Sequence, residues 1–87
     1  MKNLVIIPTF NEKENIENII RAIFDLDEIF HLLIVDDGSP DGTAAIVKEL
    51  QNEFLGKLHI LEREGKQGLG TAYIHGFKWG LISDYDF

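Results

Sequence analysis

The sequence predicts an α/β fold with a parallel sheet. Short β-branched and leucine-rich runs alternate three times with amphipathic stretches along the 87 residues, and polar breaks separate them. Such alternation is typical of βαβ units, whose right-handed crossovers place helices on the faces of a parallel sheet. The runs at residues 4–7 and 32–35 contain only Leu, Val and Ile, as expected for strands that are covered on both faces.

The first strand–helix unit is predicted from residues 4–7 and the isoleucines that follow. Pro8 is expected to end the strand, because proline has no N–H to donate to a neighbouring strand. The helix is predicted from apolar residues spaced as on one buried face: Ile16, Ile19, Ile20, Ile23 and Phe24. Asn11 is the expected N-cap, with Glu14 as its capping-box partner.

Two further units follow the same pattern. A strand at residues 31–35 and a polar break at 36–43 precede a helix with Ile46, Val47, Leu50 and Phe54 on its buried side. A weaker strand is expected at residues 58–61, and then a polar loop at 62–68. The third helix, expected to end near Gly80, is marked by Leu69, Ala72, Tyr73, Gly76 and Phe77.

Residues 84–87 resemble the approach to a fourth strand. A domain rarely ends where a strand begins, so we expect residues 1–87 to form the N-terminal part of a single larger domain. No linker or internal boundary is visible in the sequence.

Composition excludes several functional classes. Fifteen acidic and eight basic residues give a net charge of −7, which argues against nucleic-acid partners, because phosphate binding needs clustered Lys and Arg. The lack of cysteine excludes a disulfide scaffold, a thiolate metal site and a cysteine nucleophile. The three histidines show no metal-ligand spacing. No apolar run approaches the roughly 20 residues of a membrane span or forms a signal-peptide core, so we expect a cytoplasmic protein.

Ligands of open parallel sheets bind outside the carboxyl ends of the strands, and polar residues there are the candidates for function. Asp36 and Asp37 either accept hydrogen bonds from a base or ribose, help hold a cation, or simply shape a turn, with Asp41 capping the next helix. Glu12 is either a ligand acceptor or a favourable charge at a helix N-terminus. Phe10 either packs in the core or stacks on a base.

The glycine-rich loop at residues 65–70 precedes a helix, which is a common geometry for binding phosphate oxygens. It matches neither the Walker A sequence nor the dinucleotide fingerprint. Lys66 is therefore either a phosphate contact or a solvated loop lysine.

Three blocks of sequence together resemble the family-2 inverting glycosyltransferases, and within them the dolichol-phosphate (polyprenol-phosphate) mannose synthases. They are IPTFNEKENI at 7–16, IVDDGSPDGT at 34–43 and GLGTAYIHG at 68–76. The resemblance implies the nucleotide-binding half of a GT-A, Rossmann-like fold with three α/β/α layers. It also implies transfer of mannose from GDP-mannose to a polyprenyl (dolichyl) phosphate, with inversion and a divalent cation, Mg²⁺ or Mn²⁺.

The same resemblance assigns substrate-binding roles by position. The expected contacts to the donor nucleotide are Pro8, Phe10, Glu12, Val35 and Asp37. Asp36 is expected to support their loop, and Lys66 and Gly68 to line the pyrophosphate side. The family usually has Tyr where this chain has Phe10, so a hydroxyl contact is lost while the ring remains.

The family's Asp-x-Asp metal motif follows the fourth strand, and Phe87 precedes that point. We therefore expect the cation ligands and the catalytic residues to lie outside these 87 residues, which alone should have no transferase activity. The complete enzyme is expected to work at the cytoplasmic face of a membrane, where its lipid acceptor resides.

Three alternatives stay open from the sequence. A family-2 enzyme using UDP-glucose or another nucleotide sugar would be distinguished by the base contact around Phe10, Glu12 and Asp37, which competition between GDP and UDP tests. A phosphoacceptor or binding module with a doubly wound sheet would need an Asp after the third strand, where residues 62–64 are Glu-Arg-Glu. The chain could also self-associate through an exposed sheet edge.

Overall fold

The structure is a computed structural model that describes residues 3–26, 30–64 and 69–82. Within these ranges strands and helices alternate along the chain, which confirms the predicted α/β class. The elements are β1 (Leu4–Thr9), α1 (Ile16–Phe24), β2 (His31–Asp36), α2 (Thr43–Leu50), β3 (Leu58–Glu62) and α3 (Leu69–Ile82). The expected fourth strand at residues 84–87 lies outside the described residues.

The three strands form a parallel sheet in the order β1-β2-β3. The register places Thr9 beside Asp36, and Asp36 beside Glu62. The carboxyl ends of all three strands therefore stand in one row, and the loops that leave them are neighbours.

Each face of the sheet carries its own apolar core, because side chains alternate between the faces along a strand. Leu32 and Ile34 of the central strand pack in one core with Ile16, Ile20, Val47, Leu50 and Leu58. Leu33 and Val35 pack on the other face with Leu4 and Ala72. Helices α1 and α2 thus cover one face and α3 the other, which gives the predicted three layers.

The change of face after β3 has a consequence for ligand binding. Helix α3 packs on β1 and β2, so the chain turns back across the sheet after reaching β3. A right-handed connection from α3 to a further parallel strand would place that strand on the open side of β1. The carboxyl end of β1 would then be a topological switch point, the place where open α/β sheets bind their ligands.

Strand β1 continues through Pro8 to Thr9, so the expected stop at Pro8 is wrong. Pro8 is the register partner of Val35, and β1 pairs on one side only among the described strands. Proline is tolerated at such an edge, because its missing N–H need not face a neighbouring strand.

The expected start of α1 is also wrong. The helix begins at Ile16 with Asn15 as N-cap, and Asn11 adopts a left-handed backbone conformation with φ of 55°. The carbonyl oxygen of Glu12 accepts hydrogen bonds from the backbone N–H of Asn15 (3.0 Å) and Ile16 (2.8 Å). Glu12 and Glu14 therefore precede the helix rather than open it.

Helix α3 meets the sheet through its small residues. Ala72 and Gly76 are buried, whereas Tyr73 and Phe77 are 45% and 46% exposed, so the residues that mark this helix in the sequence do not all face the core. A Cβ on Gly76 would lie 2.8 Å from Cγ2 of Ile6, which means that the glycine permits a close approach to β1. The helix runs to Ile82, beyond its expected end near Gly80.

No helix among the described residues is long and apolar enough to span a membrane.

Candidate functional site

Asp36 lies at the centre of the polar cluster at the carboxyl ends of β1 and β2. Its side chain is buried, and Oδ1 accepts hydrogen bonds from the hydroxyls of Thr9 and Ser39, both at 2.7 Å. Oδ2 accepts the backbone N–H of Ser39 at 3.0 Å. The carboxylate therefore joins the end of β1 to the β2–α2 loop, and it does not cap α2.

Two hydroxyls connect the β1–α1 and β2–α2 loops by accepting from one and donating within the other. Ser39 Oγ accepts the backbone N–H of Asn11 at 2.8 Å while it donates to Asp36. Thr43 Oγ1 accepts the backbone N–H of Glu12 at 3.0 Å while it donates to Asp41 Oδ1 at 2.5 Å. These bonds are the reason that Asn11 and Glu12 do not form a local helix cap.

Asp41 supplies a third connection between the same loops. Its Oδ2 accepts the backbone N–H of Lys13 at 3.1 Å, and its Oδ1 accepts that of Thr43 at 3.0 Å. The N-cap position of α2 is Gly42, yet Asp41 holds the first helical N–H as the sequence suggested. The hydroxyl of Thr43, and then the backbone N–H groups, hold the pKa of the Asp41 carboxyl below its ordinary value.

The described residues that the resemblance assigned to nucleotide binding all lie at this edge. Pro8 and Val35 are register partners one position before the ends of β1 and β2. Phe10 and Glu12 are half-buried on the β1–α1 loop. Their contacts with a ligand stay predictions, as do those of Asp36 and Asp37. Lys66 and Gly68 lie outside the described residues.

Asp37 is paired with a residue that the sequence did not single out. Its backbone N–H donates to the Thr9 carbonyl at 3.0 Å, and its Oδ1 lies 2.6 Å from Arg63 Nε and 2.5 Å from Arg63 Nη2. Arg63 in turn donates its backbone N–H to the Asp36 carbonyl at 2.8 Å. The ends of β1, β2 and β3 are thereby linked around one buried ion pair.

Sequence reasoning missed four residues of this network: Thr9, Ser39, Thr43 and Arg63. A threonine at the end of a buried strand, beside an acid on the next strand, was the available signal for Thr9. Ser39 lies in a stretch rich in Gly, Pro and Asp, whose composition indicates only a turn. Arg63 stands between two acids and resembles an ordinary surface charge. Its position directly after a predicted strand, at the edge where ligands bind, was the signal that could have identified it.

The described residues do not make a metal site. They contain no group of three or more His, Asp or Glu side chains that could hold a metal ion. The oxygens of Asp36 already accept hydrogen bonds from three protein groups, which makes that carboxylate a poor cation ligand. No chemical step is therefore assigned to a metal here.

A second, open cleft lies far from this site. It is lined by Arg21, Ala22, Phe24, Asp25, Glu53 and Phe54. These residues lie near the C-terminal end of α1 and just after α2. In a parallel sheet such helix ends lie at the amino ends of the strands, opposite the polar edge. The rings of Phe24 and Phe54 stack there at 4.6 Å between centroids, so the cleft borders the apolar core rather than the polar edge.

Comparison with known proteins agrees with the fold. The family model described as glycosyl transferase family 2 matches residues 4–80. A polyprenol monophosphomannose synthase from Mycolicibacterium smegmatis is 46% identical over 84 residues, which is 97% of this chain and 32% of that protein. An undecaprenyl-phosphate mannosyltransferase from Micrococcus luteus is 43% identical over 86 residues, or 99% of this chain and 35% of that protein.

A solved structure gives the same result at the level of the fold. It is the mannosyltransferase PcManGT from Pyrobaculum calidifontis, in complex with GDP-Man and Mn²⁺. The match has a TM-score of 0.83 and 26% identity, and it covers 90% of this chain and 24% of that one. The chain thus spans about a third of the length of the curated relatives it matches. On the extent of the family match and the identity to these relatives, the chain belongs to glycosyl transferase family 2.

Proposed function

We propose that this chain is the donor-nucleotide-binding part of a hexosyltransferase that moves mannose from GDP-mannose to a polyprenyl phosphate, with inversion. One observation carries the proposal. The β1–α1 and β2–α2 loops are hydrogen-bonded to each other at the carboxyl edge of the sheet, in a chain 46% identical to a polyprenol monophosphomannose synthase. Preorganised loops at this place are what a nucleotide needs for binding without a large ordering cost.

The chemistry of the edge suits a guanine nucleotide. An ionised carboxylate only accepts hydrogen bonds, and guanine offers adjacent N–H donors from which a carboxylate can accept. Asp37 supplies such a carboxylate at the end of β2, and Glu12 can accept from a ribose hydroxyl or from the base. Phe10 offers a ring on which a base can stack. A uracil presents fewer adjacent donors, so Asp37 favours guanine.

The pyrophosphate is proposed to lie toward Lys66, Gly68 and the N-terminus of α3. Glycine-rich loops that enter a helix expose backbone N–H groups to anions, and the helix dipole adds to the attraction. The divalent cation that accompanies GDP-Man in the Pyrobaculum mannosyltransferase is proposed for the whole protein as well. Its ligands are proposed to lie outside the described residues, in the segment after the expected fourth strand.

The membrane enters the proposal through the acceptor. The names of the two relatives specify polyprenol and undecaprenyl phosphate, which are lipids, so the complete enzyme is proposed to act at the cytoplasmic face of a membrane. We further propose that an exposed edge of the sheet pairs with a second copy of this chain. Sedimentation velocity over a hundredfold concentration range tests the self-association, and a strict monomer throughout would refute it.

Amide shifts of ¹⁵N-labelled protein during titration with GDP, UDP and GDP-mannose test donor binding. We expect saturable shifts at Phe10, Glu12 and residues 35–38 for the two guanine nucleotides, and weaker ones for UDP. A preference for UDP would keep the family and change the donor. A dispersed spectrum without response to any nucleotide would contradict donor binding by this chain.

Catalysis is tested separately. We expect these 87 residues to form no mannosyl lipid from GDP-mannose and polyprenyl phosphate with Mg²⁺ or Mn²⁺. Product above the level of a heat-denatured sample would show that the catalytic groups are already present.

A further inference from the structure

Arg63 is the one cationic side chain among the described residues that is buried. Its side chain is 4% exposed and that of its partner Asp37 is 7% exposed. Burying two charges costs several kcal/mol each in desolvation, and an apolar pair would avoid that cost. The placement of this pair beside the proposed donor site therefore calls for a role beyond stability.

The guanidinium of Arg63 contacts two parts of the fold, the residue after β2 and helix α3, through separate nitrogens. Nε and Nη2 both donate to Oδ1 of Asp37, at 2.6 and 2.5 Å. Nη1 donates to the hydroxyl of Thr71 at 3.0 Å and lies 3.2 Å from Nδ1 of His75. A guanidinium can only donate, so Nδ1 of His75 accepts and the imidazole proton sits on Nε2.

These contacts fix the direction of the Asp37 carboxylate. Two donors on one oxygen hold the carboxylate in one orientation. Because the two oxygens rotate together, this also fixes the direction in which Oδ2 points. The contacts with Thr71 and His75 anchor the guanidinium to the first two turns of α3, the helix that follows the glycine-rich loop. A lysine ammonium has one nitrogen and cannot serve Asp37 and α3 in the same way.

We propose that Arg63 is a positioning residue for the donor base, which orients Asp37 and couples it to the N-terminal turns of α3 without touching the nucleotide itself. This inference rests on the proposed function, because it assigns the orientation of a carboxylate that the proposal gives to the base. It adds a determinant of guanine preference that lies just after β3 and on α3 rather than on the β1–α1 and β2–α2 loops.

Titration with GDP and UDP of the wild type, Arg63→Lys and Lys57→Met tests the assignment. Lys57 is exposed and precedes β3 at the opposite end of the sheet, so Lys57→Met is the control for a lost or misplaced positive charge. We expect Arg63→Lys to raise the dissociation constant for GDP about tenfold, and that for UDP less. Lys57→Met should stay within about twofold of wild type for both nucleotides. The ¹⁵N spectrum of the His75 imidazole should show the Nε2–H tautomer in wild type and a tautomer mixture in Arg63→Lys.

A folded Arg63→Lys variant that binds GDP as tightly as wild type would overturn the proposal. Should Arg63→Lys not fold, Thr71→Val decides, because it keeps the buried ion pair and removes one anchor on α3. We expect it to weaken GDP binding about threefold and to shift the amide signal of Asp37. Unchanged affinity in Thr71→Val would then refute the assignment.

Failure of the proposed function can be told apart from failure of this inference. If wild type binds no nucleotide, donor binding by this chain is wrong, and Asp37→Asn still tests the coupling. We expect Asp37→Asn to shift the amide signals of Thr71 and His75 in the wild-type background, and not in Arg63→Lys. Unshifted signals in the wild-type background would show that Arg63 does not link Asp37 to α3.

Discussion

Replacing Asp36 by Asn removes one oxygen from the centre of the polar network and keeps the shape of the side chain. Asp36 is 1% exposed and accepts three hydrogen bonds, two on Oδ1 and one on Oδ2. An asparagine amide can face either set of donors. In one orientation its NH₂ group meets the backbone N–H of Ser39, and in the other it meets the hydroxyls of Thr9 and Ser39.

Both orientations leave a donor without an acceptor. A hydrogen bond to a charged acceptor contributes about 1.5–3 kcal/mol, and an unsatisfied buried donor costs about 1–3 kcal/mol. The hydroxyls can rotate and recover part of that loss. We therefore expect Asp36→Asn to lower the free energy of unfolding by about 2–3 kcal/mol. For a domain of this size, with about 0.05–0.15 kcal/mol per residue, such a loss is a large share of the total stability.

Urea unfolding at pH 7, followed by far-UV circular dichroism and by Trp79 fluorescence, measures the change. The exposed Asp25→Asn at the end of α1 is the matched control and should alter stability by less than about 0.5 kcal/mol. Amide exchange should also accelerate at Asn11 and Ser39 in Asp36→Asn alone. A loss below about 0.5 kcal/mol with unchanged exchange would refute the view that Asp36 holds the two loops together.

Three further predictions address neighbouring contacts. Thr43→Val keeps the buried shape but removes the acceptor for the Glu12 N–H, so amide exchange at Glu12 should accelerate at least tenfold. Thr43→Ser keeps the hydroxyl and should preserve the protection of that amide. Equal exchange rates in both variants would contradict this prediction. Gly76→Ala should lower the free energy of unfolding by about 1–3 kcal/mol, because the added Cβ would clash with Ile6, despite the better helix propensity of alanine. In thermal unfolding, the double variant with Ile6→Ala should lose less stability than the sum of the two single losses. The lowered pKa of Asp41 means that its charge stabilises the fold above its unfolded pKa of about 4 and stops doing so as pH falls through the folded pKa. The difference in unfolding free energy between wild type and Asp41→Asn, measured in urea, should thus shrink from pH 6 to pH 2.5. A difference that grows on acidification would contradict a lowered pKa of Asp41.

The parts of the fold that depend on periodicity could be predicted from the sequence. The alternating order of strands and helices, the burial of β2 on both faces and the position of Asp36 and Asp37 at the carboxyl edge all follow from local patterns. The buried face of α3 does not, because it depends on how closely the backbone approaches β1. Gly76 permits that approach, and the larger Tyr73 and Phe77 remain exposed.

The position of the candidate residues at the carboxyl edge of the sheet could be predicted from the sequence, but the hydrogen bonds among them could not. Asn11 is a residue type that favours the N-cap position, yet its backbone N–H donates to the hydroxyl of Ser39, 28 residues away in the sequence. Such long-range bonds override local capping preferences and cannot be read from spacing. Arg63 illustrates the same limit, because a charge between Glu62 and Glu64 resembles a solvated surface position until the fold brings it to Asp37.

The most direct test of the central claim is to locate the base by intermolecular NOEs in a sample of the chain saturated with GDP. We expect NOEs from guanine H8 and ribose H1′ to the ring protons of Phe10, with the largest amide shifts at residues 35–38. Contacts that instead involve the rings of Phe24 and Phe54 would place the nucleotide in the cleft beyond α1 and contradict a donor site at the carboxyl edge of the sheet.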